Sequence, residues 1–179
     1  MTNDTLSGDT IMKLILALVP ALVIGVSFPA AAEDTAFIEG LSGSWAGEGT
    51  ARRTADSEPV GVNCQFTSSA EAQSFSLDGT CRAMAIIRQN VSAQLTNTSG
   101  TSYEGIYTGP RGGQSALSGA RNGNTLDLQV AWAQEVNGDS EARMQVEVPN
   151  PDSMIIRTID TSPTTGAEVV TSEISLSRQ

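Results

Sequence analysis

Asn122-Gly123-Asn124-Thr125-Leu126-Asp127-Leu128-Gln129-Val130-Ala131-Trp132 is the stretch on which the fold turns. Leu126, Leu128, Val130 and Trp132 occupy every second position, with Asp127, Gln129 and Ala131 between them. Side chains alternate across a strand, so this period gives one apolar face and one mostly polar face. Asn122-Gly123, just ahead of it, suits the positive φ angles of a tight hairpin turn. The stretch therefore predicts a strand, half-buried and entered from an antiparallel neighbour.

The same period recurs on both sides. It appears in Met144, Val146 and Val148, in Val170, Ile174 and Leu176 around Ser172, in Val91, Ala93 and Leu95, and in Tyr103, Gly105 and Tyr107. Met84 and Ile86, set against Ala83, Ala85 and Ile87, predict a strand near 80–88 buried on both faces. Asp78-Gly79 and Asn137-Gly138-Asp139 read as further tight turns. Gly109-Pro110-Arg111-Gly112-Gly113, Pro149-Asn150-Pro151-Asp152 and Ser162-Pro163-Thr164-Thr165-Gly166 read as longer ones. Turn signals at intervals of about 8 to 12 residues belong to an antiparallel sandwich or barrel. Helical signal is confined to residues 34–41, where Asp34 or Thr35 caps and Phe37, Ile38 and Leu41 pack inward.

The expected fold is all-β, a single antiparallel up-and-down barrel of about 8 to 10 strands, because closure removes the exposed edges of an open sheet. A two-sheet β-sandwich is the alternative. An outer-membrane barrel fits less well, since the strands carry no aromatic girdles and the chain ends Ser177-Arg178-Gln179.

The amino end reads as targeting sequence. Met12-Lys13, an apolar run from Leu14 to Val26, and Phe28-Pro29-Ala30-Ala31-Ala32 before Glu33 have the three parts of a secretory signal peptide, with cleavage expected after Ala32. The run is 13 residues long and contains Pro20, whereas a membrane span needs about 20. Asp4 and Asp9 place negative charge where a signal peptide wants positive, so residues 1–11 are expected to be an extension ahead of a true start at Met12. Residues 33–179 then form one domain in the periplasm or outside the cell.

That domain carries 18 acidic residues and nine arginines, a net charge of −9, with no histidine and no lysine. So acidic a chain is poorly suited to nucleic acid, which is held by neutralising phosphates. Without histidine there is no Ser-His-Asp or Cys-His catalysis and no histidine metal site. Without lysine there is no Schiff base or phosphate-loop lysine. The expectation is therefore a protein that binds or supports and is not an enzyme, with no cofactor and no metal. Cys64 and Cys81 are the only cysteines. In an exported chain such a pair reads as a structural disulfide.

Leu41-Ser42-Gly43-Ser44-Trp45-Ala46-Gly47 resembles the Gly-x-Trp first strand of the calycin group, the lipocalins, fatty-acid-binding proteins and avidins. The resemblance implies that Trp45 closes the base of a barrel after a short amino-terminal turn. Tyr103–Tyr107 and Thr125–Trp132 are similar to inner strands of avidin-like barrels. Biotin binding is not implied, because Trp45 and Trp132 are the only tryptophans.

Seven residues are candidates for contact with a ligand: Trp45, Arg82, Arg88, Tyr103, Tyr107, Arg111 and Trp132. The aromatics serve either as stacking surfaces or as core. Arg82 and Arg88 flank the apolar stretch around Ile86, and Arg52-Arg53 ends the first strand; inward-pointing arginines would fork onto a carboxylate or phosphate, and outward-pointing ones would pair with surface acids. Arg111 sits at the tip of a glycine-rich loop, where function concentrates. The expected activity is binding of a small, partly apolar ligand inside the barrel. The alternative is an envelope protein, an inhibitor or assembly factor, that engages a protein partner through loops on a filled barrel.

Overall fold

The computed structural model describes residues 30–179 except Ala85, with side chains from Asp34 onward. The sequence expectations for residues 1–29 lie outside the described residues. Among the described residues a single helix, α1 (Ala30–Gly40), precedes ten strands: β1 (Gly43–Ala51), β2 (Val60–Glu71), β3 (Ser74–Ala83), β4 (Ile87–Ser99), β5 (Ser102–Thr108), β6 (Ser115–Asn122), β7 (Thr125–Val136), β8 (Asp139–Asn150), β9 (Ser153–Thr161) and β10 (Glu168–Arg178). Each strand pairs antiparallel with its sequence neighbours, and β1 pairs with β10 to close the barrel. The fold is a closed ten-stranded up-and-down barrel and not a sandwich.

Alternation fixes which side chains face inward. On β7, Leu126, Leu128 and Val130 are buried while Asp127, Gln129 and Ala131 are exposed. On β2, Val62, Cys64, Phe66 and Ser68 face in. Each large apolar side chain fully buried this way contributes about 1.5–3 kcal/mol. The lower half of the barrel is filled by Trp45, Phe66, Tyr103, Leu126, Leu128 and Met154, with Ile38 of α1 and Leu41 just after it packed against them from below. Toward the other end the inward positions hold smaller groups, among them Ala51, Ala83, Ala93, Thr158 and Ser172. The interior is therefore solid at the base and hollow above it.

Three local expectations need correction. Asp78-Gly79 is not a turn: both residues lie within β3, and Gly79 pairs with Phe66 on one side and Val91 on the other. A Cβ at Gly79 would strike the Gln65 carbonyl oxygen and the Phe66 ring, so glycine is there to let a ring lie over the backbone. The segment near 80–88 is not a doubly buried strand. It is the β3–β4 hairpin, Met84 has a positive φ of 49°, and Ile86 points into solvent. On β10 a register shift between Val170 and Ser172 moves Val170 out of the alternation and leaves it exposed. The expected helix at 34–41 is observed as the carboxyl part of an α1 that runs from Ala30 to Gly40, but neither Asp34 nor Thr35 caps it: both lie inside the helix, and the Asp34 carboxylate turns to Tyr103, Asn97 and Arg121.

Candidate functional site

The open half of the barrel is a cavity of about 760 Å³. Leu77, Val91 and Ala93 form one wall and Met144, Val146 and Ile156 the opposite one, above a floor of Leu41, Phe66, Leu126 and Met154. A volume of this size, apolar and concave, suits a small organic molecule. Its rim is chemically different. Arg52, Arg53 and Glu58 come from the β1–β2 connection, Met84 from the β3–β4 hairpin, Arg111 from the β5–β6 loop, and Asp160 from β9.

Trp132 and Tyr107 face each other across the wall, ring centroids 6.1 Å apart at 59°. Both line the cavity. The Trp132 indole N–H is buried and has no hydrogen-bond partner among the described residues. A buried donor left unpaired costs about 1–3 kcal/mol, which an acceptor on a ligand would recover. Burial pushes the Tyr107 phenol up to about 12, so it is neutral and able to donate at any physiological pH.

Arg111 donates to the Arg53 carbonyl oxygen and Arg52 to the Ser57 carbonyl oxygen, which hold these side chains at the rim. Neither they nor Arg53 forms an ion pair among the described residues. Asp160, the buried acid of the rim, accepts from Asn137 Nδ2 at 2.7 Å. Burial raises its pKa, and the hydrogen bond from Asn137 opposes the rise.

The other candidates lie elsewhere. Arg82 and Arg88 alternate with the inward Cys81 and Ala83 and so project outward; with Glu48, Asn63, Gln65 and Thr80 they line an outer groove of about 510 Å³. They are not interior ligand contacts. Trp45 lies in the filled base: its Nε1 donates to Leu41 O at 3.1 Å and Ser68 Oγ at 3.0 Å, and the Arg178 guanidinium sits 4.3 Å over its ring. Tyr103 is also at the base, outside the cavity lining. Its Oη donates to Asp34 Oδ2 at 2.8 Å, and its phenol is pushed up to about 12, first by burial and then by that carboxylate. Of the seven candidates, the structure brings Tyr107, Arg111 and Trp132 to the cavity.

One group escaped the sequence. Asp34 on α1, 3% exposed, gathers Tyr103, Asn97 Nδ2 at 2.8 Å and Arg121 Nε into one buried cluster that fastens the helix beneath the barrel. Arg52 and Arg53 are legible in the sequence as arginines able to hold an anion, but only closure of the barrel carries them beside Arg111. Cys64 and Cys81 are bonded across β2 and β3, S–S 2.03 Å, with both side chains turned inward. Among the described residues no group of three or more acids and cysteines is placed to hold a metal ion. No described helix is long and apolar enough to cross a membrane.

No protein-family model matches the sequence, and no match is found among curated proteins. Solved structures do match. The crystal structure of Rv2717c from M. tuberculosis superposes with a TM-score of 0.64 at 15% identity, covering 85% of this chain and 98% of its own. The S-type phycobiliprotein lyase CpeS from Guillardia theta superposes with a TM-score of 0.54 at 12% identity, covering 83% and 97%. The second likeness corrects one expectation. A barrel of this architecture bears the name of a lyase, so the lack of histidine and lysine is no ground for calling the chain a non-enzyme. What the two likenesses establish is the fold, a ten-stranded barrel of the calycin-like type that the Gly-x-Trp strand implied.

Proposed function

We propose that the barrel takes up a small, largely apolar ligand that carries an anionic group. The observation that carries this reading is the pairing of an apolar cavity of about 760 Å³ with a rim of three arginines that form no ion pair among the described residues, in a chain of net charge −10. Apolar burial supplies affinity, and the guanidinium forks select a carboxylate or phosphate at the mouth. The unpaired indole N–H of Trp132 offers one further contact to an acceptor in the ligand. An interior this hollow gives no support to a filled barrel that works by its loops alone. We further propose that the domain acts after export, on the strength of the pattern from Met12 to Ala32 and the Cys64–Cys81 bond.

The test is displacement of the neutral fluorophore N-phenyl-naphthylamine by dodecanol and by dodecanoate, which differ only in the head group. The fluorophore is expected to bind and both chains to displace it. Dodecanoate should win by about tenfold, and the combined variant Arg52→Gln, Arg53→Gln, Arg111→Gln should erase that margin. Failure of the fluorophore and both competitors to bind would sink the cavity reading. Equal affinities for the two competitors would remove the anionic group from it.

A further inference from the structure

The nine arginines of the described chain divide by position. Arg121, Arg143, Arg157 and Arg178 each form an ion pair with a carboxylate. The remaining five, Arg52, Arg53, Arg82, Arg88 and Arg111, form none among the described residues, and all five lie at the open end of the barrel. Arg82 and Arg88 are direct cross-strand partners in the β3–β4 register. Like charges placed opposite each other on a strand pair repel, so this arrangement is unfavourable until an anion lies over it. Of the acids in the two linings, Glu48 in the outer groove and Glu58 and Asp160 on the rim form no ion pair with them, although Arg111 is close enough to Asp160 to favour its charged form.

Immediately beyond this arginine pair the hairpin turns, and its tip is apolar. Ile86 is 87% exposed and Met84 65%, the two most exposed large apolar side chains of the described chain. Ile87 and Val60, also exposed, continue the apolar edge toward the cavity, which Met84, Ile87 and Val60 themselves line. The feature is a narrow convex tip. A stable protein interface needs about 800 Å² of fitted surface on each partner, which a tip of two side chains does not offer. It has the form of a wedge with cations set back on its flanks, the arrangement by which apolar side chains enter a bilayer while arginines stay with anionic head groups.

We propose that the β3–β4 hairpin docks the open end of the barrel on an anionic lipid surface, with Met84 and Ile86 in the acyl boundary and Arg82 and Arg88 on the head groups. Arg52, Arg53 and Arg111 then face the same surface, and the cavity mouth opens at the membrane, the phase in which an apolar ligand is concentrated. The docking is tested apart from the reading of the cavity, because Ile86, Arg82 and Arg88 form no part of the cavity lining.

The test places a reporter on the tip. Because Cys64 and Cys81 are bonded to each other, Ile86→Cys in the full chain creates the single free thiol, to be labelled with an environment-sensitive nitrobenzoxadiazole dye. Gln73→Cys, exposed in the β2–β3 turn at the opposite end, is the reference. Both are mixed with vesicles of phosphatidylcholine alone or of equal parts phosphatidylcholine and phosphatidylglycerol. On the anionic vesicles the dye at position 86 should brighten and shift to the blue, the dye at 73 should not, and added salt should weaken the response. Arg82→Gln with Arg88→Gln in the labelled chain should weaken it by about thirtyfold, on the scale of about 1 kcal/mol for each of the two cations removed from such a surface. A silent tip, an equal response at 73, or indifference to the two arginines overturns the proposal.

Discussion

Replacing Asp34 with alanine should loosen the base of the barrel more than any surface change. The carboxylate is 3% exposed and accepts from Tyr103 Oη, Asn97 Nδ2 and Arg121 Nε. Arg121 is itself only 12% exposed, so deletion strands a guanidinium as well as two neutral donors. Breaking a buried ion pair from one side costs about 3–5 kcal/mol. The low end applies here, because Arg121 keeps a bond from Nη1 to Gly123 O at 2.7 Å and a place 5.2 Å from the Phe37 ring centroid. At about 2–4 °C per kcal/mol for a domain of this size, a loss of about 3 kcal/mol lowers Tm by roughly 6–12 °C. Urea unfolding followed by near-ultraviolet circular dichroism measures it, with Arg121→Ala and the double variant completing a cycle. The double variant should cost less than the sum of the singles, since it removes the stranded charge. A cost below about 1 kcal/mol for Asp34→Ala, or strict additivity, would refute the role given to this cluster.

The two tyrosines give a prediction in pH. Both phenols are pushed up to about 12 in the fold, against about 10 in the unfolded chain. Between those values the folded state holds protons that the unfolded state has lost, so the stability this contributes is complete below pH 10 and disappears as pH rises through 12. Absorbance titration should show neither phenol ionising near 10 until the protein unfolds, and a midpoint near 10 in the folded protein contradicts the buried placement. Replacing Cys64 and Cys81 with serine removes a cross-link between residues 17 apart, worth about 3 kcal/mol in the chain-entropy description and measurable as a lower urea midpoint. Ala93→Phe adds a ring to the hollow part of the cavity and should abolish binding of the neutral fluorophore without lowering Tm, because the new atoms fill space and displace no neighbour. Trp132→Phe should remove most of the change in intrinsic fluorescence on ligand binding, because Trp45 is sealed in the base.

The barrel was legible because the period of two is a local property, repeated often enough to count strands and punctuated by turns at Asn122-Gly123 and Asn137-Gly138. The misreadings arose where one local rule stood for two physical situations. Asp78-Gly79 has turn chemistry, yet a glycine facing the interior equally lets Phe66 cover the backbone, and only the pairing of β3 with both β2 and β4 decides between them. An apolar run such as 83–87 reads as buried, yet a hairpin tip with a function at a surface has the same composition. The site was less legible for a different reason. Arg52, Arg53, Arg111 and Trp132 meet through closure and loop placement, and alternation says which residues point in, never which of them meet. Arg121 shows how far the local rule still reaches. It shares the inward register of β6 with Leu117 and Gly119, and a cation on an inward position demands a buried anion somewhere in the chain. Asp34, in the segment that the Gly-x-Trp resemblance already places beneath the barrel, is the carboxylate that meets that demand. An inward charge is therefore a long-range constraint written in a short-range pattern, and it links residues 34 and 121 without reference to any other part of the fold.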